Sequence, residues 1–196
     1  MKVTYFTGIE KRVIAPTSLP NKNSTAEQLK LHGFVAARNH ISQYKGRYQR
    51  IADYASTLEG VVIIACPLIK EVDQLAMLLD ANIITGNTLS ADRKRIFENM
   101  VSGSNKITCI TYPLLQGLGV RLNVDHFIHT SYTKYGMQIA APLYTMKVGT
   151  FHQIVDNCSM NVVIPSYIKS LYDAGLSIEE TNKPQVFQKR NSEYED

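Results

Sequence analysis

No stretch of this 196-residue chain approaches the ~18–20 consecutive apolar residues that a membrane span needs. The opening MKVTYFTGIEKR has no apolar core of signal-peptide length. Both absences predict an intracellular protein, cytoplasmic or in the nucleoid or nucleus, with no membrane partner. The starting Met and the acidic end suggest a complete small gene product. The three cysteines, Cys66, Cys109 and Cys158, form no CxxC pair, and the five histidines form no HxxxH pair. A structural zinc centre needs clustered ligands, so that class is set aside. Cys66 and Cys109 sit in or at the end of apolar stretches and read as small buried thiols. There is no internal repeat and no low-complexity tract. A GxxxxGK[ST] loop to cradle phosphates is missing, as is an Asp-Glu pair at a strand end to hold magnesium.

What is present has the balance of a folded domain. Hydrophobic residues make up 44% and charged residues 19%. The length predicts one domain, or one domain with an added segment, and allows a sizeable core. The net charge of +4 hides an asymmetry. Residues 1–50 carry nine Lys or Arg against two acids, a net of +7, while residues 51–196 carry twelve against fifteen, a net of −3. That contrast points to a polyanionic partner for the first part.

Residues 1–23 read as irregular or weakly stranded, with short strands at 3–6 and 12–14 and breaks at Pro16 and Pro20. Ser24 and Glu27 fit a capping box for a helix over 25–31. Residues 36–58 show helical spacing through Ile41, Tyr44, Tyr48, Ile51, Tyr54 and Ala55, ending at Gly60. Residues 61–65 are a continuous β-branched run suited to a strand buried on both faces. Helix 70–79, strand 82–85, helix 90–101 and strand 106–111 follow, then a strand over 126–130. Residues 146–155 suggest a helix weakened by Gly149 and Thr150, residues 161–164 a strand, and 166–174 a helix closed by Gly175. The polar stretch 179–196 reads as mobile. Strands alternating with helices predict a parallel sheet with right-handed crossovers.

Several elements recur in a familiar order: the 61–65 strand, then Ile84-Thr85-Gly86, Ser90-Ala91-Asp92-Arg93, Ile110-Thr111, Gly117-Leu118-Gly119-Val120 and Asp125-His126-Phe127-Ile128. Over about residues 45–175 this order resembles the C-terminal RecA-like domain of superfamily two helicases. The resemblance implies an α/β fold: a three-layer parallel sheet of RecA-like, P-loop NTPase-like topology. It divides the chain into a basic N-terminal extension with helices at 1–59, the RecA-like domain at 60–178 and a flexible tail at 179–196. It also implies that Thr111 meets a nucleic-acid backbone and that Arg93 ties its helix to the sheet or meets phosphate. Gly117, Gly119 and Gln138 match positions that lie against a nucleotide.

The departures from that pattern are specific. Gly119 stands where the family's turn has an Asp, and Arg93 follows Ser90 at one residue less than the family spacing. Gln138 is followed by Ile139-Ala140-Ala141-Pro142, and no arginine occurs between Arg121 and Arg190. The family's final arginines stabilise charge on the transferred phosphate, and such contacts are worth ~10³-fold or more in rate. The first motor domain is absent altogether. Autonomous ATP hydrolysis is therefore not expected, and ATP enters only if a partner ATPase completes the site.

Nucleic-acid contact remains. Parallel sheets place their working loops at the carboxyl ends of the strands, where Pro67, Gly86, Asn87, Thr88 and residues 111–116 fall. The Thr88 and Thr111 hydroxyls suit phosphate, or equally their own turns. Arg38, Lys45, Arg47 and Arg50, interleaved with Tyr44 and Tyr48, suit single-stranded nucleic acid, although the tyrosines share their spacing with core positions. Arg93-Lys94-Arg95 is a cationic cluster or a solvated face beside Asp92 and Glu98. The favoured expectation is a degenerate helicase-like domain that binds DNA, RNA or a nucleoprotein partner, working with a separate helicase or ATPase subunit. An α/β enzyme for a small phosphorylated or nucleotide-linked substrate is the alternative. A viral or mobile-element module imitating a helicase is another. Asp125, His126 and His129 are the acid and histidines near the strand ends, but on one strand His126 and His129 face opposite sides.

Overall fold

The computed structural model describes residues 1–13, 41–115, 122–131, 143, 146–158, 164–173 and 175–182. Seven strands form one sheet: β1 (Lys2–Val13), β2 (Val62–Cys66), β3 (Asn82–Ile84), β4 (Ile107–Thr111), β5 (Val124–His129), β6 (Val148–Cys158) and β7 (Glu179–Thr181). Their order is β3-β4-β2-β5-β6-β1-β7, and every pairing is parallel. The helices among the described residues include α1 (Lys45–Ser56), α2 (Ile69–Leu79), α3 (Ser90–Ser102), the short α4 (Tyr112–Leu115) and α5 (Ile164–Asp173).

The alternation of side chains along each strand divides the core in two. Val62, Ile64 and Cys66 of β2 pack with Cys109, Ile128 and Ile154, beneath Tyr48, Ile51 and Ala55 of α1 and Val72 and Leu75 of α2. Ile63 and Ala65 point the other way, into a cluster with Phe127 and Phe151, closed by Phe97 and Met100 of α3 and Ile168 and Leu171 of α5. The sheet is therefore covered on both faces, which explains why β2 is apolar at all five positions. No helix among the described residues is long and apolar enough to cross a membrane.

The central strands and helices fall within a residue or two of their expected positions, and β4 ends at Thr111. Elsewhere the structure corrects the reading. A helix is expected over 146–155, but residues 148–158 are strand β6. Phe151 to Asp156 are all buried, so the strand has two buried faces and lacks the alternation that marks a half-exposed strand. Residues 2–13 are one 12-residue strand rather than two weak ones, with register irregularities on either side of Ile9. Residues 179–181, expected within a mobile tail, form β7 against Lys2, Val3 and Thr4. Ile164 opens α5 instead of ending a strand. Of the expected helix at 36–58, residues 36–40 lie outside the described residues, and α1 starts at Lys45, because Tyr44 is extended. The expected helix at 25–31 lies outside the described residues.

Gly60 sits at φ +93°, just before β2. The Asp125 carboxylate accepts a 2.7 Å hydrogen bond from the Val61 amide, which starts β2 beside β5. A Cβ on Gly60 would lie 2.2 Å from Asp125 Oδ2. Both the left-handed backbone and this contact favour glycine. Gly60→Ala is expected to destabilise the fold by about 1–3 kcal/mol, read as a lower urea midpoint at unchanged slope. A neutral result would mean that Asp125 does not hold this corner.

Candidate functional site

In a parallel sheet with helical crossovers, each strand's carboxyl end leads into a helix N-terminus. β2 ends at Cys66 and α2 starts at Ile69; β3 ends at Ile84 and α3 starts at Ser90; β4 runs directly into α4 at Tyr112. Helix α1 joins this end through Arg47 in its first turn. The Arg47 guanidinium donates to the Thr130 carbonyl just past β5, and its Nε lies 2.9 Å from Asp156 Oδ1 near the end of β6. Both charged side chains are buried.

The outer rim of this face has a distinct chemistry. Tyr44 is 41% exposed at the start of α1 and is followed by exposed Lys45. Ile69 is 51% exposed at the start of α2 and is followed by exposed Lys70. Leu89 is 71% exposed at the start of α3. None of the three helices has a side-chain cap at its N-terminus. The first turn of α1 holds no acid. The acid in α2's first turn, Glu71, is buried and accepts from the Thr130 hydroxyl at 3.3 Å. Asp92 of α3 is taken by Arg95 at 2.9 Å. Around α1 and α2, helix-dipole ends, lysines and apolar side chains thus face solvent together, and the nearby carboxylate is turned inward.

No family model matches the chain, and no curated protein does. Solved structures do. The E. coli DEAD-box protein SrmB, bound to regulator of ribonuclease activity A, aligns with a TM-score of 0.56 at 11% identity, covering 70% of this chain and 84% of that one. The C-terminal domain of S. cerevisiae Dbp5, bound to Gle1, gives 0.51 at 12% identity, with coverages of 74% and 89%. S. cerevisiae Dbp5 bound to RNA gives 0.50 at 13% identity, covering 66% of this chain and 36% of that one. The fold is that of a C-terminal RecA-like helicase domain. At these identities the likeness is one of architecture.

On this helicase-type frame the residues singled out from the sequence separate. Lys45 lies exposed on the rim. Arg47, expected to meet phosphate, is 2% exposed and committed to Asp156 and Thr130, so it is an internal tie. Arg50 lies half-buried over the Phe6 ring, 5.9 Å from its centre. The Thr88 hydroxyl accepts from the Thr85 amide at 2.9 Å, while the Thr88 carbonyl accepts from Arg93 Nε at 2.8 Å. Thr88 and Arg93 therefore hold the β3–α3 turn. Thr111 is buried beside Cys66. Lys94 and Arg95 lie on a solvated face with Glu98 and Asp92. Tyr48 is core-facing and donates to the Ser42 carbonyl at 2.7 Å, whereas Tyr44 of the same spacing is partly exposed. Arg38, Gly117, Gly119 and Gln138 lie outside the described residues.

The two strand histidines face opposite sides, as the alternation requires. His126 meets His152 beneath α1, at 2.9 Å. His129 is buried on the other face, bonded to the Gln153 amide oxygen at 2.8 Å and stacked on Tyr112. Burial pushes the His129 pKa down to about 4, against the smaller opposing effect of Gln153. The Tyr112 hydroxyl, raised by burial, accepts from the Ser131 amide. Sequence reasoning missed Asp156, Thr130 and Glu71 as partners of Arg47's corner. Their separations of 109 residues for Asp156 and 83 for Thr130 leave no local signal. It also missed Ile69, whose exposure follows from its place at a helix start.

Proposed function

We propose that this helicase-type domain binds nucleic acid, alone or within a nucleoprotein partner, through the rim at the strand ends, and that it is not an autonomous motor. The observation that carries this reading is the pairing of Tyr44 with Lys45 and of Ile69 with Lys70, with Glu71 buried behind them. Lysines on a strand-end rim pair with phosphates. The net of +7 over residues 1–50 adds to the same attraction. Proteins with this architecture occur in complexes with RNA and with protein partners, Dbp5 and SrmB among them. The domain requires no cofactor for binding. ATP enters only when a separate ATPase chain supplies the phosphate cradle and metal that this sequence lacks.

The test is a fluorescence anisotropy titration of the full chain with labelled single-stranded RNA and DNA, at about 50 and 200 mM salt. Affinity is expected to fall steeply between the two salts. Lys45→Glu with Lys70→Glu is expected to weaken binding at least tenfold. It should also flatten the salt slope by roughly 1.4, the loss of two single-strand phosphate contacts. Binding that ignores salt, or a double variant that binds as the parent does, overturns the proposal.

A further inference from the structure

Away from the strand-end rim, three ring side chains from three elements meet beneath α1. His126 of β5 and His152 of β6 approach through Nδ1 and Nε2, 2.9 Å apart. The other nitrogen of His152, Nδ1, lies 2.7 Å from the Tyr54 hydroxyl of α1. Tyr54 is itself fixed by stacking on Phe6, with ring centres 4.1 Å apart. His126 is half-exposed, so the pair is reached from solvent on its side, while His152 is buried.

We propose that His126 and His152 form a two-imidazole site for a divalent transition-metal ion of the copper or zinc class. Imidazole nitrogens suit these ions, and copper binds most tightly among the first-row divalent metals. The ring centres of the two histidines are 5.1 Å apart. Metal–nitrogen bonds of about 2.0–2.1 Å at a tetrahedral angle put ring centres roughly 5.2 Å apart, so the rings need only tilt to share an ion. A His152 bound through Nε2 keeps its proton on Nδ1 and donates it to Tyr54, the outer-shell bond that orients a metal-bound histidine. His126 binds through Nδ1 with its proton on Nε2. Both rings stay neutral, so binding exchanges a shared hydrogen bond for an ion through a change of tautomer. Burial favours the neutral, metal-binding form of His152, and Lys2 is the nearby cation that opposes the ion. No third His, Cys or carboxylate joins the pair among the described residues, so water completes the coordination.

The experiment uses the full chain with copper(II) sulfate, followed by calorimetry and electron paramagnetic resonance near neutral pH, beside the His126→Ala variant. His126 is half-exposed, so the variant is expected to fold, and its circular dichroism and melting check this. One ion per chain with two nitrogen donors in the spectrum is expected, weakened at least tenfold in His126→Ala. Equal copper binding by parent and variant, or a parent spectrum without two nitrogen donors, overturns the assignment. A His152→Gln variant that folds but keeps the parent's spectrum overturns it as well.

Discussion

Replacing Arg47 with methionine is expected to lower folding stability by roughly 3–5 kcal/mol, the cost of leaving a buried charge without its partner. Arg47 Nε lies 2.9 and 3.1 Å from the two Asp156 oxygens, and both side chains are out of solvent. The same guanidinium donates to the Thr130 carbonyl, so its loss also strands a buried acceptor. The corner has little room to rearrange: a Cβ on Gly8 of β1 would lie 2.4 Å from Asp156 Oδ1. Urea unfolding followed by circular dichroism reads the effect as a lower midpoint. Arg47→Met combined with Asp156→Leu is expected to recover much of the loss, because removing both charges of a buried pair is often near neutral. A single variant that loses less than about 1 kcal/mol would mean that solvent reaches Asp156, and the buried-tie account fails. Since Arg47 anchors the first turn of α1, the variant is also expected to loosen Tyr44 and Lys45 on the rim.

Acidification below about pH 6.5 is expected to destabilise the domain through two buried histidines. His129 and His152 have folded pKa values of about 4 and about 3, below the ordinary 6.5. Burial is the main cause in both, joined for His152 by His126 and then Lys2. As pH falls below 6.5 the unfolded chain takes up these two protons while the folded chain does not. The stability of the neutral imidazoles is present in full above the unfolded value. It is lost through the window down to about 4 for His129 and about 3 for His152. Well inside that window the slope approaches roughly 2.7 kcal/mol per pH unit, two protons' worth. A loss on the order of 5 kcal/mol by pH 4.5 is a large share of the 5–15 kcal/mol typical of a domain. Urea midpoints between about pH 7 and 4.5 measure it, and His129→Gln should remove about half the slope. A flat profile would mean that these histidines are hydrated and protonated in the folded state.

The elements legible in the sequence share a property. β2, α2, α3 and β4 carry their signal in consecutive residues: a β-branched run, a three-to-four spacing, a glycine just past a helix end. Gly103, at φ +79° just past α3, closes its helix in the left-handed conformation that glycine adopts without strain. β6 and β1 were misread because their signal lies in other strands. β6 lies between β5 and β1 in the sheet and is buried on both faces over 151–156, and a strand covered on both faces has no period to detect. β7 has three residues and exists through its pairing with Lys2, Val3 and Thr4. The proposed binding face divides in the same way. That it lies at the strand ends follows from parallel topology, and Lys45 stays outside because it precedes the first buried turn of α1. That Arg47 points inward, two residues later, depends on Asp156 standing at the end of a strand the sequence did not announce.

By itself the sequence determined a parallel α/β sheet and the helicase-like order of its elements. These are local matters of residue pattern and motif content. The tertiary structure decided which cations face solvent, where Glu71 turns, and that His126 and His152 meet beneath Tyr54. Charge and ring type are properties of a residue. Burial and partnership are properties of the residues that fold arranges around it, here from strands and helices up to 109 positions away.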